Sequence, residues 1–291
     1  MKEHGRLKFI SILPSAITLL NGFLGFLAIL LACRDPSGSY HFPLFPRLTS
    51  SYTVASAWMI VFGMMADAVD GSVARASGNT SGFGAQLDSL CDSVSFGIAP
   101  AFLSYKLLTK KIIELRQEEF HLTEVLNRTV LFAVIFYAMC ALLRLARFNV
   151  ETDDDKASHM NFAGLPSPAA AGLIISTILF REKFMSSFLL KMDLPAYFVT
   201  GAFENATLWF IPFSLFFTGI LMVSRISYPH LINQLMYNRK PFSILILAII
   251  FGLLAILNIH IVLFLSFLSF CIYGVVNKAV EMLRNKRLRI Q

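Results

Sequence analysis

Four aspartates and one arginine lie close together in the sequence of a chain that is otherwise strongly apolar: Asp67, Asp70, Asp88, Asp92 and Arg75. An ionised carboxylate near the centre of a bilayer costs about 2.5–3.5 kcal/mol, so four of them need a compensating partner. Carboxylate oxygens are preferred ligands of hard cations such as Mg²⁺, Mn²⁺ and Ca²⁺. The cluster therefore predicts a metal site inside a membrane protein.

The spacing of these residues predicts two antiparallel helices joined by a turn at 76–83. Asp67 and Asp70 are three residues apart and share a helical face, and Asp88 and Asp92 are four apart and share another. The two helices would then present all four carboxylates to each other at similar depth. Small residues on these faces let a bulky ligand approach the backbone, and they are Gly71, Ala74 and Gly84.

The complete pattern, D-x2-D-G-x2-A-R-x8-G-x3-D-x3-D, resembles the signature of the CDP-alcohol phosphatidyltransferases, with every defined position filled. These enzymes transfer a phosphatidyl or related group from a CDP-alcohol donor to an alcohol, with a divalent metal, Mg²⁺ or Mn²⁺. By position, the resemblance implies metal ligation by Asp67, Asp70 and Asp88, with Asp92 as the general base. It also implies a homodimer, and a nucleotide and donor site that comprises Gly71, Ala74, Arg75 and Gly84.

Two interpretations compete with the enzyme. Carboxylates within a membrane also serve ion or proton pathways in transporters, but a transporter gives no reason for the small residues and Arg75 at these positions. A purely structural ion-pair cluster is the other alternative. It is disfavoured because one arginine cannot balance four aspartates.

The composition indicates a polytopic membrane protein. The chain has 291 residues, of which 56% are hydrophobic and 15% are charged, against about 25% charged in soluble domains, and its mean hydropathy is +0.66. Recurrent apolar stretches of about 20 residues predict an all-α transmembrane bundle of about eight spans in a single domain, 1–291. The predicted spans are 9–33, 53–76, 84–107, 128–149, 166–181, 206–225, 241–258 and 260–280. Within this domain we distinguish a catalytic helix pair at 53–107 and C-terminal spans with a basic tail at 206–291.

The distribution of Lys and Arg predicts that both termini are cytoplasmic, by the positive-inside rule. The net charge of +7 then indicates attraction to anionic lipid headgroups. Nucleic-acid binding is disfavoured because no basic stripe lies on a soluble module. The turn that joins the catalytic helices falls on the same side as the termini. We therefore expect the active site to face the cytoplasm, in the inner membrane of a bacterium.

Three further segments resemble the serine-using bacterial branch of the same family: Leu13–Gly22, Arg144–Asn149 and Phe162–Gly172. Ser15 replaces an asparagine that is common in the first segment. The resemblance implies that CDP-diacylglycerol and L-serine are the substrates. The candidate acceptor-binding residues are Arg144, Arg147 and Asn149. The guanidinium of either arginine could bind the serine carboxylate bidentately. The alternatives for the arginines are positive-inside anchoring and donor-phosphate contact; those for the acceptor are glycerol-3-phosphate and an inositol phosphate.

Overall fold

The computed structural model describes residues 2–34, 51–77, 82–115, 120–154, 161–187, 196–229 and 241–288. Within these ranges the chain is helical except for two three-residue strands. The helices are α1 (Lys2–Ala32), α2 (Tyr52–Ser77), α3 (Gly82–Asp92), α4 (Ala99–Leu115), α5 (Phe120–Asp154), α6 (Ser167–Ser187), α7 (Ala196–Val223) and α8 (Pro241–Leu288). The strands are β1 (Asn161–Ala163) and β2 (Ser227–Pro229).

Helices α1 and α2 pack along each other. The start of α2 is capped by Ser51, whose hydroxyl accepts a hydrogen bond from the backbone N–H of Val54 at 3.3 Å. Small buried residues, Ala55 and Ala57, then line α2 and allow a close approach. The buried hydroxyl of Ser56 donates to the carbonyl of Ala28 in α1 at 2.7 Å. This bond joins the two helices about two turns beyond Asn21, the nearer of the two polar residues of α1 that contact the site.

Helices α3 and α4 form one continuous rod that contains a π-helical turn, Ser93–Ile98, immediately after Asp92. A π turn adds one residue to the helix and rotates the faces on its two sides by about 100° relative to each other. The fully buried Tyr137 of α5 donates a hydrogen bond from its hydroxyl to the carbonyl of Phe96 at 2.8 Å. This bond satisfies a carbonyl inside the irregular turn. The turn is thereby held next to Asp92, which is the last residue of α3.

An antiparallel strand pair ties the segment before α6 to the segment after α7. Strand β1 pairs with β2, and the backbone N–H of Gly164 donates to the carbonyl of Ile226 at 2.9 Å. Gly164 has a φ of 89°, and a Cβ there would lie 2.3 Å from the carbonyl oxygen of Met222. Only glycine satisfies both conditions. The pair therefore fixes the point at which α6 begins.

The helical architecture expected from composition is confirmed for the described ranges, and its apolar helices fit an integral membrane protein. Within the described ranges, four helices are long and apolar enough to cross a bilayer: Ser15–Ala32, Tyr52–Val73, Glu124–Val150 and Asn258–Arg284, with a shorter apolar helix at Trp209–Val223. The expected spans 241–258 and 260–280 both lie in α8, whose helical geometry is interrupted at Asn258. The count of eight spans and the orientation of the termini stay predictions. The two short strands were not expected from the sequence.

Candidate active site

Three carboxylates from two helices converge at the site. Asp67 of α2 and Asp88 and Asp92 of α3 each offer one oxygen, and these three oxygens lie within 4.8 Å of one another. Asp92 is buried, whereas Asp67 and Asp88 are half-buried. A group of hard oxygen donors at this separation suits Mg²⁺ or Mn²⁺. The residues therefore fit the divalent cation that their spacing predicts.

Asp70 is the fourth aspartate of the pattern and lies outside this group of three. Its side chain is buried, and one of its oxygens accepts a hydrogen bond from the hydroxyl of Thr18 in α1. The sequence assigned Asp70 to the metal with Asp67 and Asp88, and Asp92 to proton transfer. The geometry groups Asp92, rather than Asp70, with the other two. The division of roles among the four carboxylates remains a prediction.

Asp92 is held by a residue of α1. The amide nitrogen Nδ2 of Asn21 donates to Oδ1 of Asp92 at 2.9 Å, and Asn21 is fully buried. The backbone carbonyl of Asn21 also accepts a hydrogen bond from the hydroxyl of Ser95 at 2.9 Å. Two bonds thus connect one residue of α1 to both sides of the junction between α3 and the π turn.

The close approach of α1 to this junction depends on glycines. A Cβ at Gly22 would lie 2.8 Å from Sγ of Cys91, and a Cβ at Gly25 would lie 2.6 Å from the Cα of Ser95. Both separations are well below the roughly 3.5–4.0 Å that is optimal for non-bonded carbon atoms, so they are repulsive. The two helices can therefore be this close only where α1 lacks side chains.

Two small residues of the pattern are close to the carboxylates along their helices, since Gly71 directly follows Asp70 and Gly84 is one turn before Asp88. Gly71 is half-buried on α2 and Gly84 is half-buried on α3. Ala74 and Arg75 lie near the end of α2, and their side chains fall outside the described part of the chain. The expected contact of Arg75 with a donor phosphate is therefore a prediction that rests on the sequence.

The candidate acceptor-binding residues lie on α5, which contacts the second half of α3 and the start of α6. Nη1 of Arg144 donates to the hydroxyl of Ser167, the first residue of α6, at 2.9 Å. Nε of Arg144 is buried and has no hydrogen-bond partner among the described residues. Oδ1 of Asn149 accepts a hydrogen bond from the hydroxyl of Ser89 at 2.8 Å, and Arg147 is half-buried between the other two in sequence.

Four residues of this network were not assigned to the site from the sequence: Thr18, Asn21, Ser89 and Ser167. Thr18 and Asn21 lie in Leu13–Gly22 and Ser167 lies in Phe162–Gly172, two segments that resemble the serine-using branch but were given no site role. Thr18 and Asn21 are also three residues apart in an apolar span, so they share one helical face. Ser89 follows Asp88 directly, so it does not lie on the face of α3 that carries Asp88 and Asp92. Its pairing with Asn149 depends on where α5 packs, which no local pattern reveals.

Comparisons with known proteins agree with the signature. A family model described as CDP-alcohol phosphatidyltransferase matches residues 11–273. A CDP-diacylglycerol–serine O-phosphatidyltransferase of Helicobacter pylori is 30% identical over 234 residues, which cover 80% of this chain and 78% of the relative. An archaetidylserine synthase of Methanothermobacter thermautotrophicus is 30% identical over 219 residues, which cover 75% and 69% of the two chains. A CDP-diacylglycerol–serine O-phosphatidyltransferase of Methanocaldococcus jannaschii is 28% identical over 261 residues, which cover 89% and 90%.

Proposed function

The chain belongs to the CDP-alcohol phosphatidyltransferase family, and from this premise we propose that it transfers the phosphatidyl group of CDP-diacylglycerol to the hydroxyl of L-serine. In this reaction the serine oxygen forms a bond to the phosphorus that carries diacylglycerol. The pyrophosphate bond to the cytidine phosphate breaks, and phosphatidylserine and CMP are released. Relatives over most of the chain, named as serine transferases, support serine as the acceptor.

One observation carries the proposal: the oxygens of Asp67, Asp88 and Asp92 lie within 4.8 Å of one another where α2 meets α3. A divalent cation bound there would neutralise the donor pyrophosphate and stabilise the departing CMP. We assign Asp67 and Asp88 to hold the cation. Asp70 would assist through the oxygen that Thr18 does not bind.

Asp92 is our candidate for the general base. A carboxylate must remove the proton from the serine hydroxyl as the new bond forms, and Asp92 lies one helical turn beyond Asp88 on the same face. Its Oδ1 is occupied by the Asn21 amide, so Oδ2 is the oxygen we assign to the proton. Gly71 and Gly84 would leave room for the nucleotide beside these carboxylates, together with Ala74 and Arg75.

Arg144 is our candidate for binding the serine carboxylate. Its Nη1 is fixed by Ser167, while Nε is buried without a partner among the described residues. A buried guanidinium N–H with no acceptor costs free energy, and an incoming carboxylate would supply that acceptor. Arg147 and Asn149 are further along the same helix and would complete the acceptor site.

Two further properties belong to this proposal. Apolar helices long enough to cross a bilayer fit an integral membrane protein, and the basic termini support an inner-membrane location with the site facing the cytoplasm.

The family resemblance supports a homodimer. Cross-linking in native membranes followed by denaturing electrophoresis tests the dimer, and only monomeric bands at every cross-linker concentration would contradict it.

The decisive experiment uses purified protein in detergent with labelled CDP-diacylglycerol and a panel of alcohols. L-serine should support the release of CMP and the formation of phosphatidylserine. The matched control is Asp88→Asn, which removes one charge from the cluster with little change of shape and should abolish release. If glycerol-3-phosphate or an inositol phosphate is the better acceptor, serine is wrong while the transferase stands. Release of no CMP with any alcohol would contradict the transferase itself and favour a transporter.

A further inference from the structure

We infer that Asn21 is a positioning residue, whose side-chain amide fixes the Asp92 carboxylate in the orientation that proton transfer requires. The inference rests on the proposed function, because it gives α1 a part in the rate of the transfer reaction. The aspartate signature lies in α2 and α3, whereas Asn21 is in α1, within the segment Leu13–Gly22 that resembles the serine-using branch. That resemblance gave Asn21 no role, and the role inferred here comes from its contacts.

The orientation of the Asn21 amide is determined by its neighbour. Nδ2 faces Oδ1 of Asp92 at 2.9 Å, and a rotation that exchanged the amide nitrogen and oxygen would place a carbonyl oxygen against a carboxylate. The amide oxygen Oδ1 is itself buried and has no hydrogen-bond partner among the described residues. A buried acceptor without a donor costs about 1–3 kcal/mol. Stability alone therefore gives little reason for an amide here, whereas donation to Asp92 does.

The backbone of Asn21 is held as firmly as its side chain. Its carbonyl accepts the Ser95 hydroxyl at 2.9 Å, and the flanking Gly22 and Gly25 allow α1 to touch the α3 junction. A donor that is anchored on both its backbone and its side chain loses little further freedom when it orients a neighbour. Of the two oxygens of Asp92, Oδ1 is thus fixed and Oδ2 remains for the reacting hydroxyl.

The same face of α1 holds a second carboxylate. Thr18 lies one helical turn before Asn21 and donates its hydroxyl to Asp70 of α2. Both polar residues are buried within the apolar span Ser15–Ala32. One face of α1 therefore reaches one carboxylate on each of the two signature helices. This pairing distinguishes Asn21 from a polar residue that only happens to be buried between helices.

The test compares Asn21→Leu with Ser56→Ala. Leucine has the same number of side-chain heavy atoms as asparagine and the same branching, but it donates no hydrogen bond. Ser56→Ala removes a buried hydrogen bond of 2.7 Å between the neighbouring helices α1 and α2, about three helical turns before Asp67 on α2. We expect Asn21→Leu to lower kcat by about 10- to 100-fold, the order expected when a general base is misplaced. The KM values for donor and serine should stay within about 3-fold, and Ser56→Ala should keep wild-type kcat.

A second measurement separates positioning from general destabilisation. In an Asp92→Asn background the Asn21→Leu substitution should lower kcat by no more than about 2-fold, because residues that act through one another are not additive. If Asn21→Leu does not give monodisperse protein, Asn21→Ala, which removes the donor without adding volume, is measured in the same two backgrounds. We expect the melting temperature of the Asn21 variant to equal that of Ser56→Ala.

The possible outcomes are distinguishable. Wild type that releases CMP with serine, together with an Asn21→Leu enzyme within about 2-fold of its kcat, would overturn the positioning role alone. An equal loss in the wild-type and Asp92→Asn backgrounds would also overturn it, because Asn21 would then act through a different group. A wild-type preparation that releases CMP with no alcohol would overturn the proposed function and the positioning role together.

Discussion

Replacing Gly25 by alanine tests whether the site depends on the close approach of α1 to α3. A Cβ at this position would lie 2.6 Å from the Cα of Ser95 and 2.3 Å from its Oγ. The Oγ can rotate away, but the Cα belongs to the backbone. To reach a carbon–carbon separation of about 3.5 Å, the two helices must separate locally by about 0.9 Å. Overpacking of this kind costs about 1–3 kcal/mol of stability.

The separation has a larger effect on the active site than on the fold. The bond between Asn21 and Asp92 is 2.9 Å long, and an increase of about 0.9 Å would take it to roughly 3.8 Å, beyond hydrogen-bonding range. The carboxylate of Asp92 would then lose its donor and shift relative to Asp67 and Asp88. Because a misplacement of about 1 Å can reduce turnover by about 10²-fold, we expect Gly25→Ala to lower kcat by about that factor.

The assay measures CMP release from CDP-diacylglycerol with saturating L-serine, alongside the melting temperature in the same detergent. Gly82→Ala is the matched control, because a Cβ at Gly82 would meet nothing within 4 Å; it should retain wild-type turnover. A Gly25→Ala enzyme with more than about a third of wild-type kcat would refute the reasoning, since the helices could then separate without consequence. So would an equal loss in Gly82→Ala.

Three further outcomes are expected. Chelation with EDTA should abolish CMP release and Mn²⁺ should restore it, while Asp67→Asn should raise the Mn²⁺ concentration needed for half-maximal rate by at least about 10-fold; full turnover of metal-free enzyme would contradict this. Arg144→Lys should raise the KM for serine by about 10-fold or more without changing that for the donor, because lysine lacks the bidentate fork, and Ser167→Ala should have a smaller effect in the same direction; a changed donor KM instead would indicate phosphate contact. An impermeant maleimide should label Ser77→Cys and Gln291→Cys from the same side of the membrane, and labelling from opposite sides would disprove the expected orientation.

The sequence was sufficient for features that depend on local spacing. Apolar runs of about 20 residues specify helices that can cross a bilayer, because such a segment must satisfy its own backbone hydrogen bonds in lipid. The spacings of Asp67 with Asp70 and of Asp88 with Asp92 place each pair on one helical face. The fixed register of aspartates and glycines was also enough to recognise the family, and with it the class of reaction.

Features that depend on packing could not be read from the chain. The π turn after Asp92 rotates the remainder of the helix, and the β1–β2 pair joins segments that lie on either side of α6 and α7. Neither has a periodic signal. Arg144 could be identified as a candidate from the sequence. Its hydrogen bond to Ser167 depends on where α6 begins, and so does the lack of a partner for its Nε among the described residues.

The sequence by itself determined which chemistry is available, a set of carboxylates with small residues beside them, because each helix presents its own residues at fixed intervals. The tertiary structure decided which of those carboxylates meet and what holds them. Thr18 and Asp70 are 52 residues apart, and Asn21 and Asp92 are 71 apart. Contacts at such separations arise only when whole helices dock, and here the docking requires Gly22 and Gly25 to lie opposite Cys91 and Ser95. Helical periodicity describes one helix at a time, so it cannot specify which face of α1 lies against α3.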